Sequence, residues 1–326
     1  MQKLRIGMVG AGFIFDWHHK AFSSLPDVEF VGLTANIPEG RSWPHERQLA
    51  LEQKASALNL RLYPDFAALA GDESLDALII GSINPDHYGQ ILAGLKAGKH
   101  LLVEKPVVTD LAELATVKDA AQAAGRIVFP AHNFVYRGAV RQAKEILESG
   151  ALGRIIHSSF ISTHTISPAH ASGWRSRKAL AKGGALMDSG HHLVYQMIYL
   201  LGYPKTIKGL KANIVLTGME CEDTALVNVQ FADGSVATLM QSWASGMDFG
   251  TSGIRILGEK GNLTITDALY FNGEKLTGDV EYGDSFVRQA EAFVHSVKTG
   301  TPPLSTLDDA EKTLKLIYAS YADAEE

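Results

Sequence analysis

Residues 4–15 of the chain read LRIGMVGAGFIF, and this stretch decides the class of fold. Leu4 to Val9 is a short apolar run, which favours a buried strand. The run leads directly into Gly10-Ala11-Gly12, and an apolar, aromatic segment that can start a helix follows it. A strand, a glycine turn and a helix in this order are typical of the opening of a βαβ unit.

The same alternation of strands and helices continues to about Pro130. Further apolar strands are predicted at Phe30 to Thr34, Ala77 to Gly81 and His100 to Val103, and helices at Gln48 to Leu58 and Gln90 to Ala97. Such alternation predicts a parallel sheet that is covered by helices on both faces. We therefore assign residues 1–130 to one α/β domain with a doubly wound parallel sheet.

Beyond Pro130 the pattern changes to longer strands and hairpin turns. Strands are predicted at Arg154 to Thr165 and Thr224 to Phe231, hairpin turns at Asp233-Gly234 and Glu259-Lys260-Gly261, and helices at Val140 to Ser149, Asp284 to Thr299 and Asp308 to Ala324. We therefore assign residues 131–326 to an α+β domain with a largely antiparallel open sheet. An open sheet face must be covered by helices or by another subunit.

Composition and charge narrow the possible partners. The 326 residues include 30 Lys plus Arg and 36 Asp plus Glu, a formal charge of -6, so no domain-wide positive field attracts nucleic acid or anionic lipid. No run approaches the roughly 20 apolar residues of a membrane span. The single cysteine, Cys221, supports neither an internal disulfide nor a multi-thiolate metal site. We expect a cytoplasmic chain with no bound metal and with neither a nucleic acid nor a membrane partner.

Gly10 and Gly12 stand at the end of the first predicted strand. Glycine lets the backbone turn tightly and approach a pyrophosphate, whose negative charge the following helix N-terminus favours. The third position of the G-x-G-x-x-G pattern is Phe15 rather than glycine. The motif alone is therefore equally compatible with an ordinary strand-to-helix turn.

The end of the second strand is where an acidic residue often binds a cofactor ribose and excludes a 2′-phosphate. The sequence there is Thr34-Ala35-Asn36, so Asn36 is the nearest hydrogen-bonding side chain and no carboxylate is present. Arg41 follows and could pair with a 2′-phosphate, although a solvated loop cation is the ordinary interpretation of one arginine. Both NAD and NADP therefore remain open as cofactors.

Two further groups of residues carry chemistry. Lys105 in Glu104-Lys105-Pro106 follows an apolar strand, at the sheet edge where ligands of open α/β folds bind, and its ammonium could stabilise a developing alkoxide. Asp188 and His192 are four residues apart, so in a helix they share a face with Tyr195. Histidine suits proton transfer near neutral pH. The alternative for Lys105 is an ordinary surface lysine. The alternative for the second group is that Asp188 caps a helix and that His192 is a buried, hydrogen-bonded polar residue.

Together these residues resemble the Gfo/Idh/MocA family, which is named after glucose-fructose oxidoreductase, inositol dehydrogenase and a rhizopine catabolism protein. The motifs that carry the resemblance are Gly10 to Ile14 with His18, Ala97 to His100, Glu104 to Pro106, Trp174-Arg175 and Gly184 to His192. The resemblance implies an N-terminal Rossmann domain, a C-terminal domain whose sheet often makes oligomer contacts, and NAD(P)-dependent oxidation of sugar or cyclitol hydroxyls.

The resemblance also implies roles for individual residues. Lys105 is the expected catalytic lysine, His192 the proton donor or acceptor, and Asp188 its substrate-binding neighbour. The expected cofactor contacts are Gly10, Gly12, Phe13, Ile14, Asn36, Arg41, Ser82, Asn84, His87, Glu104 and Lys105. The expected substrate contacts are Lys105, His132, Asn133, Tyr136, Trp174, Arg175, Asp188 and His192.

The chain departs from the family pattern at two positions. An acid common at the end of the second strand is Ala35 here, and an aspartate often found three residues after the histidine is Tyr195. The leading hypothesis is an NAD(P)-dependent dehydrogenase or reductase that acts on a small carbohydrate-like molecule as a homodimer or homotetramer. The alternatives are an NAD-dependent glycosidase that uses transient oxidation, and a catalytically silent sugar or nucleotide sensor.

Overall fold

The computed structural model describes residues 3–35, 45–245, 252–277 and 282–325. By their internal packing they form two compact units, the first made of Met1–Ala131 and Phe286–Leu307, the second of His132–Ser285 and Asp308–Glu326. The second unit begins next to the expected boundary at residue 131. The segment Phe286–Leu307, however, belongs to the first unit, whereas the sequence pattern assigned it to the second domain.

A six-stranded parallel sheet forms the centre of the first unit. Its strands are β1 (Leu4–Val9), β2 (Val28–Thr34), β3 (Arg61–Leu62), β4 (Ala77–Ile80), β5 (His100–Val103) and β6 (Val128–Pro130). The helices between them are α1 (Phe13–Ser23), α2 (His45–Ala57), α3 (Phe66–Gly71), α4 (Asn84–Lys96) and α5 (Leu111–Ala124). The spatial strand order is β3-β2-β1-β4-β5-β6, which confirms the predicted doubly wound α/β fold.

The three central strands of this sheet end level with one another. Val9 on β1 lies opposite Ile80 on β4, and Ile80 lies opposite Val103 on β5. The strand order reverses between β1 and β4, and open α/β sheets bind ligands beside the carboxyl ends of the strands at such a reversal. We therefore expect a ligand site at the turns after β1, β4 and β5.

A late segment of the chain completes the first unit through aromatic packing. Helix α9 spans Tyr282–Thr299. The ring of Phe286 stacks on Trp17 of α1 at 5.8 Å between centroids and meets His18 edge-on at 5.2 Å. Further along α9, the ring of Phe293 contacts the rings of Phe22 and Phe129 edge-on. These long-range contacts explain why Phe286–Leu307 joins the first unit.

An eight-stranded sheet forms the centre of the second unit. Its strands are β7 (Ile155–Thr163), β8 (Thr206–Ala212), β9 (Thr224–Gln230), β10 (Val236–Ser242), β11 (Gly253–Gly258), β12 (Asn262–Ile265), β13 (Leu269–Phe271) and β14 (Glu274–Lys275). The helical elements are a 3-10 helix (Asn133–Tyr136), α6 (Gly138–Glu148), α7 (Lys178–Ala181), α8 (Gly190–Leu201) and α10 (Leu307–Asp323).

The strand order in this sheet is β14-β13-β12-β11-β7-β10-β9-β8. Strands β7 and β10 run parallel and the other neighbours run antiparallel, which confirms the expected largely antiparallel sheet. The predicted hairpin turn at Asp233-Gly234 joins β9 to β10, and Gly234 adopts the positive φ of 89° that the turn needs. Glu259-Lys260-Gly261 likewise joins the antiparallel strands β11 and β12.

Helix α8 covers one face of this sheet. Ala237, Leu239 and Gln241 of β10 are buried, and a Cβ placed on Gly190 of α8 would lie 3.2 Å from the Cβ of Gln241. The intervening Met240 therefore points to the opposite face, because successive side chains of a strand alternate. Among the described helices of both units, none combines the length and the apolar character needed to cross a membrane.

Candidate active site

The turn after β1 is built around two glycines with different surroundings. Gly10 has a φ of 100°, and a Cβ there would lie 2.2 Å from the carbonyl oxygen of Gly81, so this position requires glycine. Gly12 is the N-cap residue of α1 and has ordinary dihedral angles. A Cβ at Gly12 would meet no described atom within 4 Å. The turn therefore combines a close backbone packing at Gly10 with open space at Gly12.

This turn fits the pyrophosphate of a dinucleotide. No described side chain caps the N-terminus of α1, and the first amides of a helix together with its dipole favour a negatively charged group. Gly10, Gly12, Phe13 and Ile14 all lie in this turn and the first residues of α1. The open side of Gly12 leaves room for a phosphate to approach the backbone, as a G-x-G turn requires.

Phe15 occupies the place of the third glycine without loosening the helix. Its side chain is fully buried, stacks on His19 at 5.5 Å and meets Phe30 of β2 edge-on at 5.8 Å. The close packing that a glycine would allow is replaced here by an aromatic cluster between α1 and β2. The departure from the glycine pattern therefore affects the helix contact and leaves the phosphate turn intact.

The turn after β4 places Ser82 and Asn84 near the switch point and His87 beneath it. Ser82 Oγ donates a hydrogen bond to Gln90 Oε1 at 2.6 Å, and Asn84 is the first residue of α4. His87 is 0% exposed; its Nδ1 lies 3.0 Å from the carbonyl oxygen of Pro106 and its Nε2 lies 3.2 Å from that of Ser82. The buried ring thus supports two neighbouring turns rather than facing a ligand.

The turn after β5 is fixed by the carboxylate of Glu104. Glu104 Oε1 lies 2.7 Å from Nε2 of His18 on α1, and Oε2 accepts a hydrogen bond from the backbone N–H of Lys105 at 3.2 Å. Glu104 was expected to contact the cofactor, and His18 belonged to the sequence motif without an assigned role. Their contact gives both residues a part in positioning the backbone at Lys105.

The residues proposed to bind the cofactor ribose, Asn36 and Arg41, lie outside the described residues. Of the nearby strand β2, Thr34 is buried and donates from Oγ1 to the carbonyl oxygen of Tyr63 at 3.0 Å. Glu29, at the opposite end of β2, pairs with Arg5 at 2.8 Å. Glu29 is therefore engaged away from the carboxyl edge of the sheet.

In the second unit, Asp188 lies in the turn before α8. The sequence suggested a single helix over Asp188 to His192, but α8 begins at Gly190 and its N-cap residue is Ser189. Asp188 Oδ2 instead accepts a hydrogen bond from Arg175 Nε at 2.9 Å. The Arg175 guanidinium also lies 4.3 Å from the centre of the Trp174 ring. The expected substrate residues Trp174, Arg175 and Asp188 are thus brought together by tertiary contacts.

His192 is held from two sides near the start of α8. Its Nδ1 lies 2.7 Å from Oη of Tyr195, one turn later on the same helix. Its ring stacks on Phe134 of the 3-10 helix, with 4.4 Å between centroids and 19° between the planes. Tyr195 Oη also accepts a hydrogen bond from the backbone N–H of Phe134 at 3.1 Å. The sequence spacing placed Tyr195 beside His192, but only the structure shows this contact.

Two other expected substrate residues come from the 3-10 helix. Asn133 is buried, and its Oδ1 lies 3.5 Å from Tyr195 Oη. Tyr136 is also buried. His132 precedes this helix, and its ring stacks on Tyr195 at 4.2 Å with 11° between the planes. His132 and Asn133 therefore surround the tyrosine that contacts His192.

A buried carboxylate that the sequence analysis missed holds the glycine turn before α8. Glu222 accepts hydrogen bonds from the backbone N–H groups of Gly184 and Leu186 at 2.9 and 3.0 Å, and from Tyr321 Oη at 2.7 Å. A Cβ at Gly184 would lie 1.9 Å from the carbonyl oxygen of Glu222. Gly184 therefore belongs to the motif because the backbone of Glu222 passes so close.

Comparison with protein families matches both units. Residues 4–132 match the oxidoreductase family with an NAD-binding Rossmann fold, and residues 140–264 match the GFO/IDH/MocA C-terminal domain. No group of three or more His, Cys, Asp or Glu side chains that could hold a metal ion occurs in the described part of the chain. The two family matches agree with the glycine turn of the first unit and the open sheet of the second.

Individual relatives align along nearly the whole chain. Myo-inositol 2-dehydrogenase of Thermotoga maritima is 25% identical over 99% of this chain and 97% of its own length. D-glucoside 3-dehydrogenase of Escherichia coli is 25% identical over 99% of this chain and 95% of its own length. The fold is similar to that of levoglucosan dehydrogenase in complex with NADH and levoglucosan, with a TM-score of 0.86 and 20% identity over 99% and 98% of the two chains. The chain belongs to the GFO/IDH/MocA family and is an NAD(P)-dependent oxidoreductase.

Proposed function

We propose that the protein oxidises a hydroxyl group of a sugar, a sugar derivative or a cyclitol, or reduces the corresponding carbonyl. The observation that carries this proposal is the presence of Lys105 after β5 together with Asp188 and His192 around the start of α8. The substrate class is supported by the printed names of the relatives, which are an inositol dehydrogenase and a glucoside dehydrogenase.

Each residue has a role that its chemistry supports. In the oxidation, His192 accepts the hydroxyl proton at Nε2, because its Nδ1 contacts Tyr195. The ammonium of Lys105, which follows β5 of the first unit, is suited to stabilise the negative charge of a developing alkoxide. Asp188, oriented by Arg175, accepts hydrogen bonds from neighbouring substrate hydroxyls. In the reduction, His192 returns the proton.

The residues that would hold the cofactor are Gly10 to Ile14 in the turn after β1 and Ser82 and Asn84 after β4. When bound, the nicotinamide accepts a hydride in the oxidation and supplies one in the reduction. The chain contributes the phosphate turn and the orientation of the acid and base groups.

A screen of sugars, cyclitols and sugar acids, with the absorbance of reduced cofactor as the readout, tests this proposal. We expect turnover with at least one compound, a loss of about 10²- to 10⁴-fold in His192→Ala, and a similar loss in Lys105→Met with cofactor binding retained. Lys96→Met, on the exposed side of α4, is the matched control and should leave turnover unchanged. Normal turnover in Lys105→Met would remove its assigned role.

We further propose that the protein uses both NAD and NADP. The sequence after β2 has Ala35 and Asn36 where a carboxylate is common, so these two positions carry no negative charge that would repel a 2′-phosphate. Asn36 can hydrogen-bond a 2′-hydroxyl, and Arg41 can pair with a 2′-phosphate. Titration of both cofactors into wild type and Arg41→Ala should show weaker NADP binding and unchanged NAD binding in the variant. Binding of NAD alone by the wild type would contradict the dual use.

We also propose that two copies of the chain associate through the face of the eight-stranded sheet that lies opposite α8. Strand register aligns Leu210, Leu226, Met240 and Ile161 in one row across β8, β9, β10 and β7. This row lies on the face opposite α8, and Leu210 is 66% exposed. Leu226, Met240 and Ile161 are half-buried, and an apolar row that stays partly open to solvent is typical of an interface. A homodimer or homotetramer would bury it.

The cytoplasm is the location that we propose. Cys221 is buried, and this burial raises the pKa of its thiol to about 11, so the side chain stays a protonated, unreactive thiol. A chain with one cysteine forms no internal disulfide and draws no stability from an oxidising compartment. Fractionation of the source cells, with recovery outside the cytoplasmic fraction as the contradicting result, tests this location.

A further inference from the structure

Tyr195 connects His192 to a chain of buried polar groups in the second unit. Asn133 Nδ2 donates a hydrogen bond to Ser285 Oγ at 3.0 Å, and Ser285 Oγ donates to the carbonyl oxygen of Tyr282 at 2.7 Å. Because the one hydroxyl hydrogen of Ser285 points to that carbonyl, Ser285 Oγ acts as an acceptor toward Asn133. The amide of Asn133 is therefore turned so that its Oδ1 faces Tyr195 Oη, 3.5 Å away.

The phenol of Tyr195 can consequently serve both as an acceptor and as a donor. Its oxygen accepts from the N–H of Phe134 and lies 2.7 Å from Nδ1 of His192. Its hydrogen can turn toward Oδ1 of Asn133 when the imidazole Nδ1 carries a proton and donates to Oη. In that arrangement the lone pair of His192 is on Nε2, which is the form a general base needs.

Ring stacking fixes the orientation of both partners. The imidazole of His192 lies on the ring of Phe134, and the phenol of Tyr195 lies on the ring of His132. Stacking holds the plane of each ring, and the 2.7 Å contact with Oη holds Nδ1 of His192 on that side of the imidazole. The contact therefore belongs to a rigid arrangement and not to an exposed side-chain pair.

We propose that Tyr195 is a positioning residue that holds the proton of neutral His192 on Nδ1 and directs Nε2 toward the substrate. This inference rests on the proposed function. When Nε2 takes the substrate proton, the imidazolium that forms keeps its Nδ1 proton and still donates the same hydrogen bond to the Tyr195 hydroxyl, so the hydrogen bonds of the network do not have to rearrange. Because the phenol is uncharged, it orients the imidazole without adding the strong stabilisation of the imidazolium that a carboxylate would supply.

Several charged or titratable groups surround this pair and bear on its pH dependence. Asp188 precedes α8, and His191 lies beside His192 on α8 itself. His132 lies against both Tyr195 and His191, with 5.5 Å between the two imidazole centroids. The guanidinium of Arg137 lies 3.5 Å from the centre of the Phe134 ring. Tyr282, at the start of α9, contacts the same ring edge-on. These groups are the same in the variants compared below, so a change in pH profile reports on position 195.

The first test reads the histidine directly in the ligand-free protein. Nitrogen NMR of 15N-histidine-labelled wild type, with His192→Asn used to assign the signal, distinguishes a proton on Nδ1 from one on Nε2. We expect mainly the Nδ1–H form in wild type above pH 7.5 and a shift to the Nε2–H form in Tyr195→Phe. A wild-type ring that carries its proton mainly on Nε2 would overturn the proposal.

The second test uses the pH dependence of kcat/KM for the oxidation, which rises with pH as the base loses its proton. Tyr195→Phe should lower kcat about 10- to 100-fold, change KM less than threefold and move this rise to lower pH, because the imidazolium loses an acceptor. Tyr195→Asp should move the rise to higher pH by about one unit or more, because a carboxylate stabilises the imidazolium. Tyr199→Phe, one turn later on α8, is the control.

The outcomes separate this inference from the proposed function. If no sugar or cyclitol supports turnover by wild type, the proposed function fails, while the NMR measurement still decides the tautomer. If wild type turns over and Tyr195→Phe keeps kcat within twofold and the same pH profile, the positioning role is wrong. Opposite shifts in the Phe and Asp variants, with Tyr199→Phe unchanged, support it, since a merely structural loss would not reverse sign.

Discussion

The burial of one residue, His87, makes the stability of the first unit depend on pH. Both of its ring nitrogens lie next to backbone carbonyl oxygens, of Ser82 and Pro106, and the side chain has no exposure to solvent. Burial lowers the pKa of His87 below its usual value because the charged ring would lose its hydration. The folded protein therefore keeps this imidazole neutral at pH values where an unfolded chain binds a proton.

The lowered pKa of His87 makes the folded state less stable as the pH falls. Above about pH 6.5 both states hold a neutral ring, and as the pH falls below that value the unfolded state takes up the proton first. Stability is thus lost between the unfolded pKa and the lower folded pKa. We expect the melting temperature to fall between pH 7 and pH 5, and to fall less in His87→Gln, whose amide offers two N–H donors and takes up no proton.

The control for this experiment is His295→Gln, which replaces an exposed histidine on α9. Its melting temperature should follow that of wild type across the same pH range. Identical pH curves for His87→Gln and wild type would show that His87 does not contribute to the acid sensitivity. His19 and His100 also have pKa values lowered by burial, so part of the slope should remain in His87→Gln.

At the scale of elements, the turn between β1 and α1 separates a folding requirement from a binding requirement. Gly10 has a positive φ and backbone atoms of Gly81 where a side chain would go, so Gly10→Ala forces the two strands apart. Gly12 has neither restriction in the described structure. A methyl group there would project into the open space that a pyrophosphate needs.

We therefore expect opposite behaviour from two alanine substitutions. Gly10→Ala should lower the free energy of unfolding by about 2–4 kcal/mol, from the strained φ together with the clash. Gly12→Ala should cost less than about 1 kcal/mol, as expected for a change at an N-cap, and yet weaken cofactor binding at least tenfold. Calorimetry and cofactor titration measure both quantities. Equal losses of stability in the two variants would contradict this division.

At the scale of the whole molecule, the apolar row on the sheet face opposite α8 predicts association. Leu226 and Met240 are neighbours in the apolar row across β9 and β10. A carboxylate at either position would have to be desolvated in an interface, which costs several kcal/mol when no partner charge is present. Light scattering should show wild type as a dimer or tetramer at micromolar concentration.

Leu226→Glu or Met240→Glu should raise the dissociation constant at least about a hundredfold, equivalent to about 2.7 kcal/mol. Leu49→Glu, which changes an exposed leucine on α2, is the matched control and should keep the wild-type mass. A monomeric wild type would remove the support for this interface. A wild-type mass in both row variants would place the interface on another surface.

Local patterns were enough to predict several parts of the fold. The run Leu4 to Val9 with its glycine turn, and the hairpin at Asp233-Gly234, were predicted because strand period and turn chemistry are encoded in adjacent residues. The short elements α3 and β6 were not predicted, because neither is long enough to show a period. The position of Lys105 after β5 was correct, since strand ends can be read from the sequence.

The sequence by itself determined which chemical groups the chain carries and the order in which they appear. Lys105, Asp188 and His192 could be selected as candidates because their types and spacings suit proton transfer and charge stabilisation. The tertiary structure alone decided which distant residues hold the surroundings of these candidates in place. His18 contacts Glu104 next to Lys105, Arg175 contacts Asp188, and Glu222 binds the turn at Gly184. It also assigned Phe286–Leu307 to the first unit. The physical reason is that burial and hydrogen bonding join residues far apart in the chain, and no local pattern of apolar or polar residues records which distant group will meet them.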